Sequence, residues 1–91
     1  MTNIIVTLKI MPKSPSSDLG QAQGKIVHLI KEFGGEVGKV EQVPVAFGLK
    51  SLNIIFVMDE SIGSTEELEK QVARHPEVNS VEVIDVRRAI G

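Results

Sequence analysis

The sequence predicts a small α+β domain whose two helices and four strands follow the order β-α-β-β-α-β. Apolar residues alternate with period two near the N-terminus and again in the middle of the chain. Two other segments place apolar residues at helical spacing, and glycine, proline and serine separate the segments. A length of 91 residues allows one hydrophobic core, so we expect a single domain over residues 1–91.

The first strand is predicted over residues 4–10, and a helix follows it. The apolar positions of that strand keep one phase: Ile4, Val6, Leu8 and Ile10. Pro15 and its neighbouring serines end the pattern, so the helix should begin between Ser16 and Asp18. Gly24 inside the helix costs about 1 kcal/mol relative to alanine, and Gly34-Gly35 should stop the helix. The apolar face of this helix comprises Leu19, Ala22, Ile26, Leu29, Ile30 and Phe33.

The second strand, over residues 36–45, is the least regular segment because its valines do not keep one period-two phase. A bulge or an edge position near Pro44 would explain this, since proline cannot donate to a central ladder. The third strand is clearer. One of its faces is apolar and consists of Leu52, Ile54, Phe56 and Met58.

The second helix is predicted to begin with a capping box formed by Ser64 and Glu67. Pro76 should end this helix just after His75. Its buried face would contain Leu68, Val72 and Ala73. A β-branched run over residues 78–86 predicts the fourth strand, and residues 87–91 are then a tail.

This order of elements predicts a ferredoxin-like fold, in which a four-stranded antiparallel sheet of order 4-1-3-2 carries both helices on one face. We expect strands one and three to run parallel and strands two and four to run against them. The turn after strand two and the end of strand four would then lie at the same end of the sheet, roughly 10–15 Å apart. One partner would be able to contact both.

Composition excludes several classes of protein. The chain has no cysteine, which excludes disulfides and thiolate metal sites. A net charge of −2 and a pI near 5.6 argue against direct binding of nucleic acid through phosphate neutralisation. The longest apolar run, Ile54–Met58, is too short to span a membrane, and the N-terminus does not read as a secretory signal. A cytoplasmic location is therefore expected.

The chemistry-bearing residues do not form a catalytic pattern. His28 and His75 have no partner at metal or triad spacing, and the glycines do not form a phosphate loop. We therefore expect no catalytic residue, metal or cofactor. RNA-binding domains of this fold stack bases on aromatic residues of strands one and three, and the open-face positions of those strands carry none. Their apolar members, Ile5, Ile55 and Val57, are consistent with a monomer or with a weak homodimer through the open sheet face.

Phe47 is the most unusual residue of the predicted loops. It lies between Ala46 and Gly48 in the turn after strand two, whereas Phe33 and Phe56 occupy core positions by periodicity. An exposed ring there could enter a pocket of another protein, gaining about 1.5–3 kcal/mol if fully buried. The alternative is that the ring folds back over its own sheet end.

Four segments, in the same order and spread over nearly the whole chain, resemble the archaeal elongation factor 1-beta family: Ile10–Pro15, Pro44–Leu52, Gly63–Glu69 and Ser80–Arg88. That family is similar to the C-terminal exchange domain of the eukaryotic factor. The resemblance implies a ferredoxin-like fold and a non-enzymatic guanine-nucleotide exchange factor that promotes GDP release from elongation factor 1-alpha during polypeptide elongation.

The resemblance also implies which residues contact the GTPase. Phe47 matches the turn phenylalanine of the family, and Asp85 and Val86 match the start of its terminal segment. Eukaryotic members carry a lysine near the C-terminus that points towards the magnesium site of the partner, and this chain has none there. Our hypothesis is that Arg87 or Arg88, or strain transmitted through docking, disturbs the magnesium and phosphate contacts. The expected partner-binding residues are Pro44, Val45, Ala46, Phe47, Gly48, Leu49, Lys50, Asp85, Arg87 and Arg88.

Two other functions fit the predicted fold. A ferredoxin-like small-molecule-binding regulatory or protein-interaction domain would pair through its open sheet and bind a ligand at the interface, and the ligand would then stabilise it. An acylphosphatase-like hydrolase would need an arginine and an asparagine near a phosphate-binding loop after strand one. Residues 11–17 contain neither, which disfavours the enzyme.

Overall fold

A computed structural model describes residues 2–16 and 19–89 of the chain. These residues form a four-stranded sheet of order β2-β3-β1-β4, in which every neighbouring pair of strands is antiparallel. The predicted order 4-1-3-2 is the same order read from the other edge, so the ferredoxin-like α+β fold is confirmed. The elements are β1 (Asn3–Pro12), α1 (Leu19–Phe33), β2 (Glu36–Pro44), β3 (Lys50–Asp59), α2 (Glu66–Ala73) and β4 (Val78–Arg88).

One face of the sheet carries both helices and the whole core. The inward residues of β1 and β3 are buried together with residues of both helices, as the period-two and helical patterns predicted. β2 and β4 are the edges and contribute mostly partly buried valines. The buried hydrophobic residues of the core are Val6, Leu8, Ile10, Ala22, Ile26, Ile30, Leu52, Ile54, Phe56, Met58, Leu68, Val72 and Val78.

The irregularity of β2 has two causes, and one was predicted. β2 is indeed an edge strand, but its bulge lies between Val37 and Lys39 rather than near Pro44. Gly38 is the extra residue there, which returns Val37 and Val40 to the core side of the sheet.

The helix boundaries correct the sequence predictions in detail. α1 begins at Leu19 in the described chain, and part of its predicted start, residues 17–18, lies outside the described residues. The predicted capping box of α2 is wrong, because Thr65 is the N-cap and the Ser64 hydroxyl accepts a hydrogen bond from the Glu66 N–H. Ala73 is exposed, not buried, since Leu68 and Val72 already fill the face of α2 that meets the sheet.

The predicted strand directions were wrong, and this changes where the site residues lie. β1 pairs antiparallel with β3 on one side and with β4 on the other, so β1 and β2 share one direction and β3 and β4 the opposite one. The β2–β3 turn lies near the end of β1, where Ile10 pairs with Leu52, whereas Arg88 pairs with Ile4 at its start. The turn and the end of β4 are therefore at opposite ends of the sheet.

We call the end with the β2–β3 turn the turn end, and the end with Ile4 and Arg88 the terminal end. The β1 residues from Ile4 to Pro12 separate them by about 26 Å, at roughly 3.3 Å per residue. The longest dimension of the described chain is 41 Å. A partner contacting both ends must extend along the whole sheet.

Alanine substitutions at two glycines test the packing of α1, and we expect them to change the free energy of unfolding in opposite directions. A Cβ at Gly35 would approach Ile30 Cγ2 and a ring carbon of Phe56 to 2.9 Å each, and both side chains are fully buried. Gly24 lies inside α1 with no atom within 4 Å of an added Cβ. We expect Gly35→Ala to lower the free energy of unfolding by about 1–3 kcal/mol. Gly24→Ala should raise it by about 0.5–1 kcal/mol.

Urea denaturation of both variants beside the unmodified chain measures these differences. A stabilising Gly35→Ala would contradict the close packing of α1 on β3 described above.

Candidate functional site

The β2–β3 turn is a closed loop of residues 45–49, which we call the Phe47 turn. The Val45 N–H donates a hydrogen bond to the Leu49 carbonyl at 2.8 Å, and the Leu49 N–H donates to the Ala46 carbonyl at 3.3 Å. The first bond continues the antiparallel pairing of Pro44 with Lys50, and the second closes the turn itself. The turn is thus held at its base by main-chain bonds, and its tip projects from the sheet.

The side chain of Phe47 points into solvent. It is 93% exposed, whereas Phe56 is fully buried and Phe33 is packed against the core. The fold-back alternative is therefore wrong. Burying a benzyl group that is this exposed would gain about 1.5–3 kcal/mol.

The backbone of Phe47 is also unfavourable. Its φ of 61° and ψ of 33° lie in the left-handed region, and it is the one non-glycine residue of the described chain with a positive φ. This conformation costs a residue with a Cβ about 1–2 kcal/mol, and a phenylalanine has no short polar group that would offset the cost. Gly48, with φ of 75°, follows it at no such cost.

The surroundings of the Phe47 turn are polar. A cleft of about 290 Å³ lies beside it, between the loop after β1 and the first turn of α1. Lys50 and Gln42 line the cleft from the sheet, and Gly48 lines it from the turn. The cleft beside the apolar tip therefore carries the side chains of Gln42 and Lys50, which can donate hydrogen bonds.

Arg87 and Arg88, which were expected in a tail, lie in β4, as Asp85 was predicted to. Asp85, Arg87 and Arg88 are strand residues, and residues 90–91 of the expected tail lie outside the described chain. Arg87 Nε lies 2.9 Å from the Asp85 carboxylate, and Arg88 Nε lies 3.6 Å from the Glu60 carboxylate. Both guanidinium groups are about three-quarters exposed, so a second carboxylate or a phosphate can still reach them.

The position of Glu60 depends on Asp59. The Asp59 carboxylate accepts a hydrogen bond from the Ser61 N–H at 2.8 Å, which lowers the pKa of Asp59 below its usual value. This bond holds the short turn Glu60–Ile62 against the end of β3, and the Glu60 N–H also donates to the Thr2 carbonyl. The turn thereby presents Glu60 to Arg88.

Sequence reasoning missed two exposed apolar residues of β4. Ile84 is 47% exposed and Val86 is 56% exposed, beside the arginines. The register of β4 shifts between Val83 and Asp85, which makes Ile84 the extra residue of a bulge. The sequence carries a signal for this shift, because the valines step by two from Val81 to Val83 and then by three to Val86.

The described residues contain neither a cluster of metal ligands nor a membrane-spanning helix. Within residues 2–16 and 19–89, no three histidine, aspartate or glutamate side chains lie together as metal ligands would. Across that part of the chain, neither helix is both long and apolar enough to cross a bilayer.

On the open sheet face, edge-strand Lys39 pairs with Glu41 at 2.7 Å, and this bond raises the pKa of Lys39.

Comparison with known proteins identifies similar sequences over nearly the whole length. The family described as the EF-1 guanine nucleotide exchange domain matches residues 5–89. The protein named Elongation factor 1-beta in Methanobrevibacter smithii is 41% identical over 88 residues, covering 97% of this chain and 98% of the relative. Its counterpart in Methanothermobacter thermautotrophicus is 39% identical with the same coverage.

Among solved structures, the ACT domain from the GTP pyrophosphokinase of Chlorobium tepidum superposes with a TM-score of 0.62. It covers 91% of this chain and 100% of its own, at 14% sequence identity. An identity this low supports a common fold and no common ligand.

The left-handed backbone of Phe47 leads to a prediction for the free energy of unfolding of a glycine variant. Phe47→Gly removes the left-handed strain together with an exposed ring, so we expect a free energy of unfolding equal to that of the unmodified chain or higher by up to about 1 kcal/mol. Phe56→Ala, in the core, should lose about 3–5 kcal/mol. Thermal and urea unfolding of both variants provide the comparison. A loss above about 1 kcal/mol for Phe47→Gly would show that the ring stabilises its own fold.

Proposed function

Because this chain belongs to the family of EF-1 guanine nucleotide exchange domains, we propose that it promotes GDP release from elongation factor 1-alpha during polypeptide elongation. The family and its elongation factor 1-beta members support the role of a nucleotide exchange factor for elongation factor 1-alpha. Release of GDP makes and breaks no covalent bond, so the proposed protein acts by binding rather than as an enzyme. Its proposed place of action is the cytoplasm.

The observation that carries the proposal is the exposed ring of Phe47 on a strained turn. A fold that holds an apolar ring outwards at a conformational cost is suited to insertion into a pocket of a partner. We propose that Phe47 is the docking residue, with Pro44, Val45, Ala46, Gly48, Leu49 and Lys50 forming the contact around it.

The coupling free energy between binding of the exchange factor and binding of GDP determines how much the contact must contribute. An exchange factor binds the nucleotide-free GTPase more tightly than the GDP-bound form, and by reciprocity it weakens GDP by the same factor. About 4 kcal/mol of such coupling corresponds to a thousandfold faster release. Burial of one phenylalanine supplies about 1.5–3 kcal/mol of docking free energy, which weakens GDP only to the extent that it differs between the two forms of the GTPase, so we propose a second contact that acts on the nucleotide site.

We place the second contact at the terminal end, with Asp85, Arg87 and Arg88. The two ends are about 26 Å apart along β1, so they contact different parts of the GTPase. In this proposal the Phe47 turn anchors the complex, while Arg87 or Arg88 competes for the phosphate or for the acidic ligands of magnesium. The partner is contacted as a protein, with no nucleic acid between them, by a monomer or a weak homodimer of this chain.

The docking role is tested by release of labelled GDP from the cognate elongation factor 1-alpha. The variants Phe47→Leu, Phe47→Ala and Phe47→Gly remove the apolar side chain in steps. We expect the concentration for half-maximal acceleration to rise in that order, by about ten- to a hundredfold for Ala, because each step removes buried apolar area.

Lys31→Ala, on the exposed surface of α1, is the control and should behave as the unmodified chain does. Equal activity of Phe47→Gly and the unmodified chain would remove this ring from the mechanism.

The arginine role predicts a different kinetic effect. If Arg87 or Arg88 disturbs magnesium, replacing that residue with alanine should lower the maximal rate of GDP release by about tenfold or more, with little change in the half-maximal concentration. Chelating magnesium with EDTA should abolish the difference, because the contact that the arginine weakens is then already absent. Defects that persist in EDTA for both variants would assign the arginines to docking.

A further inference from the structure

A second concave surface lies between the two helices, on the helical side of the sheet. It encloses about 210 Å³, and its wall is mostly apolar. We call it the interhelix groove, and the residues that line it are Lys25, Leu29, Gln71, Arg74, His75 and Pro76. It shares no residue with the Phe47 turn or with the terminal end.

The rim of the interhelix groove is cationic. Lys25 on α1 and Arg74 at the end of α2 are both exposed, and within the described chain neither makes an ion pair with a carboxylate. The acidic residues of α2 lie in its first turn, about 8 Å or more along the helix axis from Arg74, and Glu77, which follows Pro76, is not among the residues that line the groove. A chain with a net charge of −2 thus presents positive charge at this groove.

His75 adds a third donor. Its Nδ1 accepts a hydrogen bond from the Glu77 N–H at 3.1 Å, so in that state the ring proton resides on Nε2. The bond also fixes the ring at the point where the chain leaves α2. Lys25, Arg74 and His75 therefore surround an apolar wall made by Leu29 and Pro76.

We propose that the interhelix groove binds a short segment of another protein that carries both acidic and apolar residues. The cations select carboxylates, and the apolar wall accepts an aliphatic side chain. The volume is below the 300–1,000 Å³ of ordinary small-molecule pockets, which favours one or two side chains of a peptide. The helix dipole accounts for Arg74 at the end of α2 but not for Lys25, which lies in the middle of α1.

The test uses the full chain labelled with ¹⁵N and two synthetic helical peptides. One has leucine at helical spacing with glutamate elsewhere, and the other replaces every glutamate with lysine. We expect the glutamate peptide to shift amide resonances of the groove residues, and the lysine peptide to leave them unchanged. The double reversal Lys25→Glu/Arg74→Glu should weaken the glutamate peptide about tenfold or more and admit the lysine peptide.

The matched control is Lys13→Glu/Lys31→Glu, which changes the net charge equally at exposed positions outside the groove. It should bind the glutamate peptide as the unmodified chain does. Equal binding of the two peptides, equal weakening in the control or shifts confined to another surface would each overturn the proposal. So would self-association mapped to the groove without peptide, which would identify a second copy as the occupant. GDP release by Lys25→Glu/Arg74→Glu should be unchanged, so the experiment tests peptide binding at the groove independently of the proposed exchange function.

Discussion

The pairing of β1 with two neighbours is the constraint on which the rest of this structure depends. β1 is antiparallel to β3 and to β4, which fixes the directions of those two strands, and the antiparallel pairing of β2 with β3 then fixes the direction of β2. The buried faces of β1 and β3 then form a continuous floor for both helices. The same pairing places the β2–β3 turn at one end and the last residues of β4 at the other, so the separation of the two proposed contacts follows from the hydrogen-bonding pattern of the central strand.

Local patterns allowed most of the elements and the order of the strands to be predicted from the sequence, whereas the strand directions were predicted wrongly. Leu52, Ile54, Phe56 and Met58 have a period of two because they lie on one side of a pleat, which is a local property. The direction of β1 relative to β3, by contrast, already follows from the predicted antiparallel sheet of order 4-1-3-2, because that order makes the two strands antiparallel neighbours, with Ile10 opposite Leu52. That direction was predicted wrongly, and the 10–15 Å separation of the site residues was wrong with it.

The candidate site could be predicted in part, because the exposure of Phe47 follows from a local pattern. Phe47 lacked a core position by periodicity, and the ring is indeed exposed. Its left-handed backbone could not be predicted, because Gly48 beside it is the residue whose type favours positive φ. Ile84 and Val86 escaped notice since a bulge shifts the phase of β4 and leaves both partly in solvent. The interhelix groove depends on how α1 and α2 pack, which neither helical pattern contains.

A rigid sheet between two contacts has an energetic consequence for the proposed exchange mechanism. Once Phe47 has docked, the arginines of β4 arrive at a fixed distance, so little further entropy is lost when they bind. Arg87 and Arg88 must loosen their pairs with Asp85 and Glu60 to reach a partner. Exposed ion pairs of this kind contribute about 0–1 kcal/mol, so a carboxylate or phosphate in a less solvated partner site can replace them. The intramolecular pairs then orient the guanidinium groups before docking and oppose their transfer only weakly.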